Sequence, residues 1–126
     1  MLFKNILLVA FGGGLGSVSR FLCQKYVYEL YAHPFPWGTF IVNISGCFLI
    51  GLFYGLAERG NLLTPEWRLL LTTGFCGGFT TFSSFAYENI GLLRSGDYTY
   101  FLLYSLGSLV VGIVATYLGM ILLKLI

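Results

Sequence analysis

The chain has 126 residues, of which 57% are hydrophobic and only 10% are charged, and its formal net charge is +2. An ordinary soluble domain carries about 25% charged residues, so this chain has too few charges to cover a water-facing surface. Its Lys and Arg residues form no cluster, which excludes a nucleic-acid footprint. We therefore predict an all-α integral membrane protein.

Four apolar segments are long enough to cross a bilayer, whose hydrocarbon core of about 30 Å requires about 20 helical residues. They cover approximately residues 2–28, 38–57, 67–93 and 98–125. The connections between them are short, so we expect residues 1–126 to form a single four-helix transmembrane domain. No small-residue cleavage pattern follows the first segment, so we expect it to be a span rather than a signal peptide.

The ends of the third segment carry recognisable signals. Thr64, Pro65 and Glu66 are typical of a helix start, and Gly96 is typical of a helix end. Small residues three or four apart elsewhere in the chain favour close helix packing. These residues are Gly12 and Gly16, Gly51 and Gly55, and the series Ser108, Gly112, Ala115 and Gly119.

Within the third segment, the run from Thr73 to Phe85 does not suit a lipid-facing helix. Its adjacent glycines, Gly77 and Gly78, favour unwinding, since glycine costs about 1 kcal/mol relative to alanine inside a helix. Unwound backbone in a membrane has to be buried in protein or line a cavity. A buried cation held by carbonyl oxygens is one solution. A flexible glycine pair packed against a neighbouring helix is the other, and the residues alone leave both open.

Hydroxyl side chains and phenylalanines are interleaved at the end of this run. They are Thr80, Thr81, Phe82, Ser83, Ser84 and Phe85. Aromatic rings have a positive edge, so a dehydrated anion could meet ring edges and hydroxyl hydrogens in a narrow pore. From spacing alone, apolar packing of two rings on one helix face is the simpler interpretation.

Other polar residues fall within the predicted spans. Asn43 lies in the middle of the second span, where a buried amide needs hydrogen-bond partners. Arg20 in the first span indicates a functional site unless its side chain snorkels to the interface. Tyr104 and Ser108 are i, i+4 neighbours that could extend a hydroxyl track, whereas Glu88 has no clear role. The chain lacks a Ser/His/Asp set, paired carboxylates and a phosphate loop, so we do not expect an enzyme.

The basic residues give only a slight topological bias under the positive-inside rule. One side of the membrane would carry Lys4, Arg59, Arg68 and Lys124, and the other Lys25 and Arg94, with Arg20 near that end or buried. A chain so nearly balanced could insert in both orientations and pair with an opposite-facing copy.

Three motifs, at residues 12–21, 38–46 and 73–85, together resemble the CrcB/Fluc family of fluoride channels. The resemblance extends over the whole chain in length, span count and motif order, and the third motif is the most specific. One departure is Ser84, where the family often has threonine. The resemblance implies an antiparallel, dual-topology homodimer with two pores in the bacterial inner membrane. It also implies passive export of fluoride, with membrane lipid and a second copy of the chain as the other partners.

The resemblance also implies roles for individual residues. Phe82 and Phe85 would present ring edges to fluoride, Asn43 would contact the anion, and Arg20 would attract it. The polar track would comprise Thr81, Ser83, Ser84, Tyr104 and Ser108. The backbone carbonyls of Gly77 and Thr80 would bind one structural, non-transported sodium ion. Of the four transmembrane helices, the third would be broken near its middle.

Two other functions have to be weighed. A small multidrug-type, proton-coupled antiporter also has four spans and dual topology, but it needs a membrane-embedded carboxylate. The first span has none, and Glu88, toward the later part of its helix, is the only candidate. A non-transporting membrane subunit would have no use for polar residues at mid-depth.

Overall fold

The computed structural model describes residues 1–59 and 62–125. Three long helices are α1 (Leu2–Leu30), α2 (Trp37–Glu58) and α6 (Tyr98–Leu122), and a 3₁₀ turn extends α6 to Leu125. Within the described residues, these are the three continuous helices that are long and apolar enough to cross a membrane. They correspond to the first, second and fourth predicted spans.

The remaining span is built from shorter pieces. It comprises α3 (Pro65–Leu69), a π-helical stretch (Leu70–Cys76), α4 (Gly77–Phe79) and α5 (Phe82–Arg94). The helix is interrupted at Thr80 and Thr81, whose backbones are extended. The prediction of four helical spans with a broken third helix is therefore confirmed.

The position of the break differs from the prediction that Gly77 and Gly78 would unwind. Both glycines are helical, and the chain unwinds at the two threonines that follow them. Gly78 instead allows a close approach to α1, because a Cβ atom on it would collide with the carbonyl oxygen of Gly13. Of the two alternatives that the residues left open, the structure shows packing against a neighbouring helix, at Gly78, and no unwinding at the glycines.

The ends of the third span are as predicted. The side chain of Thr64 caps α3 by accepting a hydrogen bond of 3.2 Å from the amide of Trp67, with Pro65 in the first turn. After Arg94, Gly96 has a φ of 76°, a backbone conformation that side-chain-bearing residues seldom adopt. The next helix, α6, begins two residues later.

Small residues bring α2 and α6 together along their length. Gly51, Gly55, Gly112 and Gly119 are all buried, and a Cβ on Gly51 or Gly119 would strike the backbone of the facing helix. The predicted packing role of these glycines is confirmed.

Between α1 and α2, the loop of residues 31–36 places an aromatic ring against α5 and α6. Phe35 is buried together with Leu92 and Tyr104, and its ring meets that of Tyr104 edge-on at 5.4 Å. Tyr104 is the most deeply buried of the three, with 0% of its surface exposed. The loop thus covers one end of the helix bundle and fixes Tyr104 beneath it.

Candidate functional site

At the helix break, the side chain of Asn43 on α2 replaces the missing helical partners. Its Nδ2 donates to the carbonyl oxygen of Thr81 at 3.0 Å, and its Oδ1 accepts from the amide of Thr81 at 2.8 Å. Both backbone groups of an extended residue are therefore satisfied by one amide side chain. This explains how an interrupted helix is tolerated at membrane depth, where water is not available as a partner.

The hydroxyl groups around the break stabilise the two helix ends. Thr81 Oγ1 caps α5 by accepting from the amide of Ser84 at 3.2 Å, and it lies 3.5 Å from Ser83 Oγ. Thr80 Oγ1 donates to the carbonyl oxygen of Cys76 at 2.9 Å, one turn earlier. The two threonine hydroxyls thus bond to the backbone on opposite sides of the break.

Gly77 and Thr80 are two of the residues at the break whose carbonyl oxygens lose their usual helical donors. The amide of Thr81, the i+4 partner of Gly77, donates to Asn43 instead. The amide of Ser84, the i+4 partner of Thr80, donates to Thr81 Oγ1. The carbonyl groups of Gly77 and Thr80 are therefore released from the helical ladder, and carbonyl oxygens of this kind coordinate hard cations.

Helix α1 contributes a charge on another side of the break. Arg20 is half-buried, and its Nε donates to the carbonyl oxygen of Gly78 at 3.1 Å. Its side chain is directed at the third span rather than along α1 to the interface. The guanidinium group carries further N–H donors beyond this bond.

A groove of about 860 Å³ runs along the outside of the break. Seven of the predicted site residues line it: Asn43, Gly77, Thr80, Thr81, Phe82, Phe85 and Ser108. Most of the remaining lining is apolar, including Ile50, Leu106 and Leu109. The groove therefore combines a hydrophobic wall with the polar surface of the interrupted helix.

The two phenylalanines are placed differently within this groove. The rings of Phe82 and Phe85 lie 5.8 Å apart, and Phe85 also contacts the ring of Tyr104 at 4.9 Å. Phe82 is 79% exposed, so it projects from the single chain. Near these rings, Ser108 Oγ is buried and has no hydrogen-bond partner among the described residues.

A second polar cluster lies on the far side of Phe85. The carboxylate of Glu88 accepts from Thr39 Oγ1 at 2.7 Å and from the hydroxyl of Tyr104 at 2.8 Å. Ser84, Thr39 and Glu88 line a separate cavity of about 420 Å³ that opens beneath the loop of residues 31–36. The polar residues thus extend from the groove toward one end of the bundle.

Sequence reasoning missed several members of this arrangement. Thr39 was not singled out and Glu88 had no role, although Thr39 precedes Asn43 by one helical turn on the same face of α2. Asn89 was also missed: its Nδ2 donates to the carbonyl oxygen of Phe85 at 3.1 Å, and its Oδ1 accepts from Ser105 at 3.0 Å. Its i+4 spacing from Phe85 was the available signal.

The fold and this site define a multi-pass helical membrane protein whose third span is broken and carries several hydroxyl side chains around the break. The family model described as "CrcB-like protein, Camphor Resistance (CrcB)" matches residues 7–120. The chain belongs to this family.

Curated relatives match over nearly their full length. A protein of Leptospira interrogans is 46% identical over 121 residues, which are 96% of this chain and 95% of the relative. A protein of Phocaeicola vulgatus is 51% identical over 92% of this chain and 95% of the relative. One from Chlorobium phaeobacteroides is 52% identical over 98% of this chain and 95% of the relative. Each of the three is named "Fluoride-specific ion channel FluC".

Proposed function

We propose that this protein is a fluoride-selective passive channel of the bacterial inner membrane that exports cytoplasmic fluoride and so reduces its toxicity. The observation that carries the proposal is the match to relatives of that name, at 46% to 52% identity over almost the whole chain. Passive flow is sufficient for export, because the negative interior of the cell drives anions outward.

The polar groups of the groove suit a small, strongly hydrated anion. A pore selective for such an ion has to replace its water with several close donors. The amide nitrogen of Asn43 has two N–H groups and gives one to Thr81, which leaves the second for an anion. The partnerless hydroxyl of Ser108 is another free donor in the described part of the groove. Thr81, Ser83, Ser84 and Tyr104 complete the proposed track.

Phe82 and Phe85 would line the narrow part of the pathway with ring edges. The positive edge of an aromatic ring attracts an anion, whereas its negative face favours a cation. Arg20 would raise the local concentration of anions near the break, since a fixed positive charge attracts ions of the opposite sign.

The functional unit would be an antiparallel homodimer with two pores. In a single chain, the groove leaves the interrupted helix and the 79% exposed Phe82 uncovered. Lipid cannot satisfy such backbone, so another protein surface has to cover it. A second, opposite-facing copy is compatible with the nearly balanced basic residues, while the exposed apolar faces of α1 and α6 would contact lipid.

A structural sodium ion would be held by the carbonyl oxygens of Gly77 and Thr80. The proposal is supported by the diversion of their helical donors to Asn43 and Thr81. When bound, the ion would supply a positive charge that both carbonyl oxygens coordinate. The transported ion remains fluoride alone.

Ion efflux from liposomes tests the function directly. Purified protein is reconstituted into liposomes loaded with potassium fluoride or potassium chloride, and efflux is started by adding valinomycin. We expect rapid fluoride efflux and little chloride efflux, with no need for a proton gradient. Equal rates for the two anions would refute selectivity. Strict dependence on a proton gradient would favour the antiporter alternative.

The assembly and the sodium ion need separate tests. Mass determination in detergent should give twice the chain mass. In a variant whose three cysteines are replaced by serine or alanine, a single cysteine placed at a chain end should be labelled from both sides of the membrane. A monomer, or labelling from one side alone, would contradict the dual-topology dimer. Replacing Na⁺ by N-methyl-D-glucamine should lower the thermal stability of the dimer, whereas unchanged stability would argue against the ion.

A further inference from the structure

The cluster around Glu88 contains a residue that the proposed pathway does not use. Gln24 on α1 donates through Nε2 to Thr39 Oγ1 at 3.0 Å. Thr39 is on α2, Glu88 on α5 and Tyr104 on α6, so this single hydrogen-bonded chain contains one residue from each of the four spans. Gln24, Thr39 and Glu88 also line the same cavity of about 420 Å³.

The direction of these hydrogen bonds follows from the number of protons available. The Thr39 hydroxyl has one proton to donate, and its bond to Glu88 runs from Thr39 Oγ1 to a carboxylate oxygen. Thr39 therefore donates its proton to Glu88, 2.7 Å away, and the remaining contact of its oxygen has to be an accepted bond. The amide N–H of Gln24 supplies that bond, which prevents the hydroxyl from turning away from Glu88.

The surrounding structure holds Gln24 at this place. A Cβ atom on Gly38 would lie 3.3 Å from the Cα of Gln24, so the glycine allows the first turn of α2 to approach α1 closely. Thr39 is only 2% exposed, which limits the access of water to its hydroxyl. In such surroundings, a lost donor is not readily replaced by solvent.

We propose that Gln24 is a positioning residue for conduction: its amide holds the hydroxyl proton of Thr39 on Glu88 and keeps this end of the polar track ordered. The proposal rests on the proposed channel function. Glu88 also accepts a hydrogen bond from Tyr104, whose ring contacts Phe85. A change in the position of Glu88 would therefore alter the position of residues that line the groove.

Two substitutions with side chains of similar length test the hydrogen-bond donor of Gln24 independently of side-chain size. Gln24→Met removes the donor at every pH, and we expect fluoride efflux to fall about tenfold, the effect of one lost hydrogen bond in a buried network. In Gln24→Glu, the ionised form competes with Glu88 for the Thr39 proton, and the protonated form donates as the amide does. Its efflux should therefore be low at neutral pH and recover toward that of the parent at weakly acidic pH.

The pH profile has to be read against the other groups in this region. The titratable side chains that line the cavity or bond to Glu88 are Lys25, Tyr28, Tyr31, His33, Glu88 and Tyr104. All are present in the parent, so the variant is evaluated as its ratio to the parent at each pH. Tyr28→Glu is the matched control, because it adds a carboxylate one helical turn away, at a residue that is 70% exposed.

The expected result is a pH-dependent recovery in Gln24→Glu that Tyr28→Glu does not show. Recovery on lowering the pH of the same proteoliposomes also demonstrates that the variant is folded, even if Gln24→Met does not assemble. If the ratio of Gln24→Glu efflux to parent efflux were independent of pH, Gln24 would serve packing only and the proposal would be overturned. Inactivity of the parent protein would instead refute the channel function itself.

Discussion

Asn43 and Thr81 are joined by two hydrogen bonds of opposite direction, 3.0 Å and 2.8 Å long, between a side chain of α2 and the backbone of the third span. One side-chain amide thus provides a hydrogen-bond partner for both the N–H and the C=O of a residue that is not helical. The same contact diverts the amide of Thr81 from the carbonyl of Gly77. The hydrogen bonds that stabilise the break therefore also expose the oxygen proposed to hold a cation.

Replacing Asn43 by leucine should destabilise the protein and stop conduction. The variant keeps a similar side-chain volume but leaves the N–H and C=O of Thr81 unpaired, at about 1–3 kcal/mol for each group. Chemical unfolding in detergent measures the stability, and liposome efflux measures conduction. Ser45→Ala is the control, since Ser45 is an exposed polar residue on the same helix. If Asn43→Leu were as stable as this control, the amide would not be the support of the break.

Replacing Phe82 or Phe85 by isoleucine should abolish fluoride efflux and leave the dimer intact. Isoleucine retains apolar bulk but has no positive ring edge to meet an anion. Phe11→Ile serves as the control, because Phe11 is 64% exposed on α1, away from the groove. Efflux and the mass in detergent are measured for all three variants. Normal efflux in both groove variants would show that the two rings serve packing and are not required for conduction.

Replacing Tyr104 by phenylalanine should reduce stability by about 1–3 kcal/mol, since one oxygen of the half-buried Glu88 carboxylate loses its donor. The ring and its contacts with Phe35 and Phe85 remain. Tyr117→Phe removes a hydroxyl from the same helix at a residue that is 61% exposed, and should change little. Equal unfolding midpoints for these two variants would show that the Tyr104 hydroxyl contributes nothing to the cluster.

The general architecture could be predicted because it follows from local chemistry. Hydropathy and length predict the spans, the sequence Thr64-Pro65 predicts a helix start, and Gly96 predicts a helix end. The small residues of α2 and α6 likewise indicate close packing by spacing alone. Each of these features depends on neighbouring residues in one helix.

The details of the break could not be predicted, because they depend on partners distant in sequence. Thr80 and Thr81 unwind, rather than Gly77 and Gly78, because Asn43, 38 positions before Thr81, satisfies the extended backbone. Intrinsic helix propensity alone favours unwinding at the glycines, and a tertiary contact overrides it. The Thr39–Glu88 pair, separated by 49 positions, was missed for the same reason.

A methyl group at Gly46 should displace the helix that supports the break. A Cβ atom there would collide with Cγ2 of Thr80, whose hydroxyl is bonded to the carbonyl of Cys76, and it would lie 3.3 Å from the ring of Phe79. Since Gly46 follows Asn43 by three residues on the same helical face, moving α2 away would stretch both bonds to Thr81. Overpacking of this kind costs about 1–3 kcal/mol.

We therefore expect Gly46→Ala to lose both stability and fluoride efflux. Gly107→Ala provides the matched control on α6, because the nearest atom to its new Cβ is 3.9 Å away. That variant should keep its efflux and gain up to about 1 kcal/mol of stability from helix propensity. Unfolding midpoints and efflux rates of the two variants decide the question. If both alanines behaved alike, the close approach of α2 to Thr80 would not be required for the geometry of the break.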